Sequence, residues 1–178
     1  SLLSLATAIG AGYCFAKATP GSQWLLIAAG LVFLTALLDA LDGIVARMRD
    51  MVTKQGDMVD HTLDRIADVI ILGGIALGPL VNERAGFAAL LGVLLLSYMG
   101  TQAQAVGAGR VYSGLLGRAD RLVLLMAVPV IQFFFIERIE GEYLITWMAY
   151  TFAIVCTGSA LLRFWLVWKF LSEQDSQA

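Results

Sequence analysis

Apolar stretches long enough to span a lipid bilayer follow one another along almost the whole chain, separated only by short polar breaks. Of the 178 residues 59% are hydrophobic and 15% charged, and the mean hydropathy of +0.79 exceeds what a soluble core requires. Such a chain has the bilayer as its solvent, and lipid accepts only elements that satisfy their own backbone hydrogen bonds. At about 20 residues per helical span, roughly six spans fill this length and leave nothing for a separate soluble domain. Residues 1–178 are therefore expected to form one all-α transmembrane domain, with any active site built from the spans themselves.

The predicted spans run from about Leu2 to Ala16, Ser22 to Met48, Gly56 to Leu80, Ala85 to Ala108, Arg118 to Ile136 and Glu142 to Leu171. Thr19-Pro20-Gly21 breaks the first hairpin, Pro79 ends the third span, and Gly107 to Gly117 forms a glycine-rich turn after the fourth. If the first span starts in the cytoplasm, Arg47, Arg49, Lys54, Arg65, Arg110, Arg118, Arg121, Arg163 and Lys169 fall on that side. Only Lys17, Arg84 and Arg138 fall on the other, so the positive-inside bias predicts a multi-pass protein of the cell membrane with both visible ends in the cytoplasm. No basic block suggests a nucleic-acid partner at a net charge of −2. Cys14 and Cys156 are isolated thiols in apolar runs and are expected to pack. The chain opens on Ser1 without a basic leader, so no cleaved signal peptide is expected and upstream sequence is expected to be missing.

Against this apolar background stands one polar constellation: Asp39, Asp42, Gly43, Ala46, Arg47, Gly56, Asp60 and Asp64. Carboxylates in a membrane segment cost several kcal/mol unless paired or hydrated, roughly 2.5–3.5 kcal/mol each by insertion scales. Residues three or four apart share a helix face, so Asp39, Asp42 and Ala46 line one stripe and Gly56, Asp60 and Asp64 another. The short loop from Met48 to Gln55 predicts that the two helices are antiparallel neighbours whose stripes converge at the cytoplasmic end. Oxygen ligands without His or Cys select Mg²⁺, Mn²⁺ or Ca²⁺ over zinc, and a pair of ions about 4 Å apart suits four carboxylates and phosphoryl displacement. Gly43, Ala46 and Gly56 leave room for a nucleotide beside the ions, and Arg47 offers a fork matched to phosphate. His61, a lone histidine, is left outside the site.

The spacing D-x2-D-G-x2-A-R-x8-G-x3-D-x3-D resembles the signature of the CDP-alcohol phosphotransferases, also membrane proteins of six helices, so the resemblance covers the whole chain. It implies attack by an acceptor hydroxyl on the lipid-linked β-phosphoryl of a CDP-lipid, either CDP-diacylglycerol or CDP-archaeol, with CMP leaving. By position, Asp39, Asp42, Asp60 and Asp64 would hold two Mg²⁺ or Mn²⁺ ions, and Asp64 would also serve as the base. Asp39, Asp42, Gly43, Ala46, Arg47, Gly56 and Asp60 would border the cytidine diphosphate, with Asp68, one turn on, either touching the nucleotide or making a structural contact. Family members usually begin with an amphipathic segment on the membrane surface, which is expected here to be missing with the upstream sequence.

An acceptor that carries its own phosphate needs a basic pocket, and Arg110, Arg118, Arg121 and Arg163 supply one. The segment from Ser97-Tyr98 to Arg110, followed by Gly117-Arg118-Ala119-Asp120-Arg121, is similar to the inositol-phosphate branch of the family. Inositol 1-phosphate is thus the expected acceptor, with glycerol 3-phosphate the alternative. A divalent-cation transporter and a nonenzymatic assembly subunit are the readings from other classes. Small residues in the third and fourth spans suggest a homodimer.

Overall fold

The computed structural model describes residues 2–48, 53–109 and 113–176, apart from the side chains of Ala46 and Arg47. The described chain is all-α, with helices α1 (Leu2–Lys17), α2 (Gln23–Met48), α3 (Lys54–Ala76), α4 (Glu83–Ala105), α5 (Arg118–Phe134) and α6 (Leu144–Asp175). These match the six predicted spans to within a few residues at each end. Three of them, over Gln23–Val45, Glu83–Ala105 and Leu144–Asp175, are long and apolar enough to cross a membrane. Helix α1 is shorter, and α3 carries Asp57, Asp60, Asp64, Arg65 and Asp68 in its first two thirds.

The ends of these helices follow from local chemistry. Thr53 caps α3 by accepting the Gly56 N–H at 3.0 Å. Gly78 and Pro79 prevent α3 from continuing. At the start of α5 the Asp120 carboxylate accepts the Gly117 N–H at 2.9 Å. Pro129 lies buried inside α5 without ending it.

Packing departs from the expected arrangement in one respect. Among the described residues α2 and α3 do not pack on each other, because α1 lies against both and holds them apart. That wedge is possible because Gly12 and Gly74 bring the α1 and α3 backbones together so closely that a Cβ on either would strike the other helix's backbone. Helix α2 packs instead on α5, α3 on α4, and α4 along α6. Phe152, Ile145, Leu25, Val32 and Val93 are fully buried at these seams.

Polar pins reinforce the seams. Thr7 and Thr35 join hydroxyls at 2.8 Å across α1 and α2. Thr146 Oγ1 donates to the Leu80 carbonyl at 3.0 Å, tying α6 to the turn after α3. Gln132 is fully buried, with its amide donating to Phe135 O at 2.6 Å. Outward faces carry exposed apolar residues such as Phe33, Leu91, Ile154 and Trp165, which suits a lipid surround.

Candidate active site

Asp39 on α2 and Asp60 and Asp64 on α3 each present a carboxylate oxygen such that all three lie within 4.8 Å of one another. The two α3 residues are one turn apart and share a face, while Asp39 reaches them across the gap that α1 keeps open. Like charges about 4 Å apart repel by about 1–4 kcal/mol per pair between the water and protein-surface limits, so the cluster requires cations. Arg118, from the first turn of α5, supplies one: its Nη1 lies 2.9 Å from Asp39 Oδ2, and its Nη2 pairs with Asp64 Oδ1. Hard oxygen donors converging without His or Cys fit Mg²⁺ or Mn²⁺.

Not every expected site residue joins this group. Asp42 is exposed and stands outside the three-carboxylate cluster. Gly43 lies on the same helix toward its end, and Gly56 is exposed in the first turn of α3. The side chains of Ala46 and Arg47, and all of Arg110, lie outside the described residues. Asp68, expected either at the nucleotide or in a structural contact, faces arginines: Arg65 Nη1 is 3.3 Å and Arg121 Nη1 3.9 Å from its Oδ2.

Those arginines open onto a cavity of about 290 Å³ lined by Arg65, Arg118, Arg121 and Arg163, with His61, Ser97, Thr101 and Gln104 among the other walls. Arg121 is 5% exposed, and its Nε and Nη1, like Arg118 Nε, are buried without a hydrogen-bond partner among the described residues. Buried charged donors left unmatched are costly, and such an arrangement suits an anionic ligand that brings the missing acceptors. Arg163 is different. Its Nε donates to Ser113 O at 2.9 Å and its Nη1 to Leu96 O at 3.1 Å, so it ties α6 to α4 and to the segment leading into α5. Ser159 adds to that strap by accepting the Leu115 N–H at 3.0 Å and donating to Leu115 O at 3.1 Å. The strap holds Leu116 at φ 59, a left-handed conformation costing about 1–3 kcal/mol, directly before the residues that carry Arg118 and Arg121.

Sequence reasoning missed Arg65 and excluded His61, yet both line the cavity. Their spacing of four residues places them on one side of α3, a signal available in the sequence. The contact that turns Arg65 toward the cavity, donation from its Nη1 to Ser97 Oγ on α4, is long-range and had no sequence signal.

Residues 1–155 match the family described as CDP-alcohol phosphatidyltransferase. The chain belongs to this family. Among characterised members it is similar to the archaetidylinositol phosphate synthase of Pyrococcus horikoshii, with 40% identity over 100 residues, 56% of this chain and 53% of that protein. The synthase of the same name from Methanothermobacter thermautotrophicus is 36% identical over 114 residues, 64% of this chain and 58% of that one. The chain thus spans somewhat over half the length of these curated relatives. In three dimensions it resembles the phosphatidylinositol phosphate synthase of Mycobacterium tuberculosis crystallised with CDP-DAG bound. The TM-score is 0.76 at 25% identity, covering 94% of this chain and 83% of that one. The same enzyme in complex with manganese and citrate superimposes with a TM-score of 0.76. The helical bundle is therefore that of the CDP-alcohol phosphatidyltransferase family, and the M. tuberculosis member of similar fold was crystallised with manganese.

Proposed function

We propose that this protein is a membrane transferase that moves a phosphatidyl- or archaetidyl-type group from CDP-diacylglycerol or CDP-archaeol to inositol 1-phosphate, releasing CMP and forming a phosphoinositol lipid phosphate. The observation that carries this reading is the juxtaposition of three converging carboxylates with a cavity walled by four arginines. A neutral acceptor would have no use for that charge. The names of the relatives favour inositol phosphate over glycerol 3-phosphate, which the cavity's charge alone does not separate.

In this reading Asp39, Asp42, Asp60 and Asp64 would hold two Mg²⁺ or Mn²⁺ ions, which when bound would supply positive charge against that building on the pyrophosphate. Gly43, Ala46, Arg47 and Gly56 border the cytidine diphosphate. Asp64 takes the proton from the acceptor hydroxyl, the acceptor oxygen bonds to the β-phosphorus, and the bond from that phosphorus to the bridging oxygen of CMP breaks. Arg121 receives the acceptor phosphate on its unmatched donors, with Arg65, Arg110, Arg118 and Arg163 adding to the field. Asp68, between Arg65 and Arg121, keeps both guanidinium groups turned to the cavity.

The six helices cross the membrane with this end in the cytoplasm, a topology supported by the distribution of Lys and Arg. At 32 residues, α6 is about 48 Å long and outruns a hydrocarbon core of about 30 Å, so its last turns extend past the site into water. The assembly is a homodimer. Gly74, Gly78, Gly86 and Gly92 are consumed by packing within the chain, so two copies meet through the exposed stripe Phe87, Leu91, Leu95 and Tyr98 on α4. A cation transporter is disfavoured because four guanidinium groups beside the carboxylates would repel the transported ion.

The test is CMP release by protein reconstituted with a CDP-lipid and offered inositol 1-phosphate, glycerol 3-phosphate, serine or inositol in parallel. Inositol 1-phosphate alone should support rapid release, EDTA should stop it, and Asp64→Asn should lower it by about 10²–10⁴-fold. Undiminished turnover by that variant would remove Asp64 from the base role.

A further inference from the structure

Arg118 belongs to two sites at once. Its Nη atoms sit on Asp39 and Asp64, two of the three converging carboxylates, and the same side chain lines the arginine-walled cavity. Asp64 is 6% exposed while the Arg118 side chain is about a third exposed, so water screens this pairing only in part. A dication coordinated by this cluster meets a centre whose negative charge the guanidinium has already reduced by one. An anion in the cavity, in contrast, offers that guanidinium a second set of oxygens.

We propose that Arg118 couples the metal centre to the acceptor pocket: metal and acceptor phosphate each favour the arrangement in which its guanidinium leaves the carboxylates for the cavity. The inference rests on the reading of the carboxylates as metal ligands and of the cavity as a phosphate pocket. Since both ligands favour the same arrangement, each tightens the other, and linkage makes the two factors equal. The pocket then becomes fully basic only when the metal centre is loaded, so acceptor is not held tightly at a site unable to react. Arg65, Arg121 and Arg163 do not take this role. Arg65 lies 3.9 Å from Asp64 Oδ2 but is held more closely by Asp68, at 3.3 Å, and by Ser97 Oγ. Arg121 is paired at a distance with Asp68, and Arg163 is committed to the carbonyls of Ser113 and Leu96.

The test measures Mn²⁺ binding to purified full-length protein without CDP-lipid, read from the electron paramagnetic resonance of free Mn²⁺. Removing the competing charge in Arg118→Gln should tighten Mn²⁺ by about 5- to 150-fold, the usual range of a coupling of this kind. Arg118→Lys, which keeps the charge, should stay close to wild type. Saturating inositol 1-phosphate should tighten Mn²⁺ in the wild type, whereas uncharged inositol should not. A support role for Arg118 predicts the reverse, with Arg118→Gln weakening Mn²⁺ because Asp39 and Asp64 lose their anchor. Equal or weaker Mn²⁺ binding by Arg118→Gln, or equal tightening by Gln and Lys, overturns the proposal. If Arg118→Gln does not fold, the absence of tightening by inositol 1-phosphate in the wild type overturns it instead. Wild-type protein that binds no Mn²⁺ overturns the metal reading itself, an outcome distinct from intact binding without coupling.

Discussion

Replacing Arg121 by methionine should separate function from stability. Arg121 is 5% exposed, its nearest carboxylate oxygen among the described residues is 3.9 Å away on Asp68, and two of its donors have no hydrogen-bond partner among those residues. Each charged hydrogen bond to an acceptor phosphate contributes about 1.5–3 kcal/mol, and two bonds to one group do not add fully. A loss of about 3 kcal/mol corresponds to an acceptor KM raised by about 10²-fold, with KM for the CDP-lipid little changed. Stability should move the other way. Burying a guanidinium so poorly matched costs more than its distant pairing returns, so an apolar residue of similar length there should leave stability unchanged or raise it. Asp68 keeps Arg65 at 3.3 Å, so the exchange leaves no carboxylate stranded. The measurements are steady-state CMP release against inositol 1-phosphate and thermal unfolding followed by tryptophan fluorescence. Arg163→Met provides the contrast, since it strips donors from the Ser113 and Leu96 carbonyls and should lower Tm. An unchanged acceptor KM in Arg121→Met, or a fall in Tm matching that of Arg163→Met, would refute the reasoning.

Gly74→Ala places a Cβ against the Gly12 backbone and should destabilise the bundle by about 1–3 kcal/mol, seen as a lower Tm in detergent. The homodimer should appear as a two-chain mass in mild detergents, and a cysteine at Leu91 should cross-link two copies in the bilayer. A clean monomer mass across those detergents would count against it.

How much of this was legible in the chain depends on whether a feature is local. The helix ends were, because Pro20-Gly21, Pro79 and the glycines around 107–117 act on their own neighbours. The convergence of Asp60 and Asp64 was legible for the same reason, four residues being one helical turn. Spacing along one helix does not say what packs opposite it. In lipid almost any apolar face can meet any other, so no sequence pattern marked α1 as the wedge between α2 and α3. The expectation that a short loop makes neighbours failed on that point, and the failure has a functional consequence. Tightly packed α2 and α3 would have brought Asp39 against α3 backbone and closed the space beside it. With Gly12 and Gly74 seating α1 between them, the carboxylates meet only at their tips, and the opening they border is reached by Arg118 from a third helix. A shared guanidinium between metal centre and cavity therefore depends on two glycines that hold no ligand. A side chain at Gly74 should disturb Mn²⁺ affinity as well as Tm, because it moves the helix that sets the distance from Asp39 to Asp64.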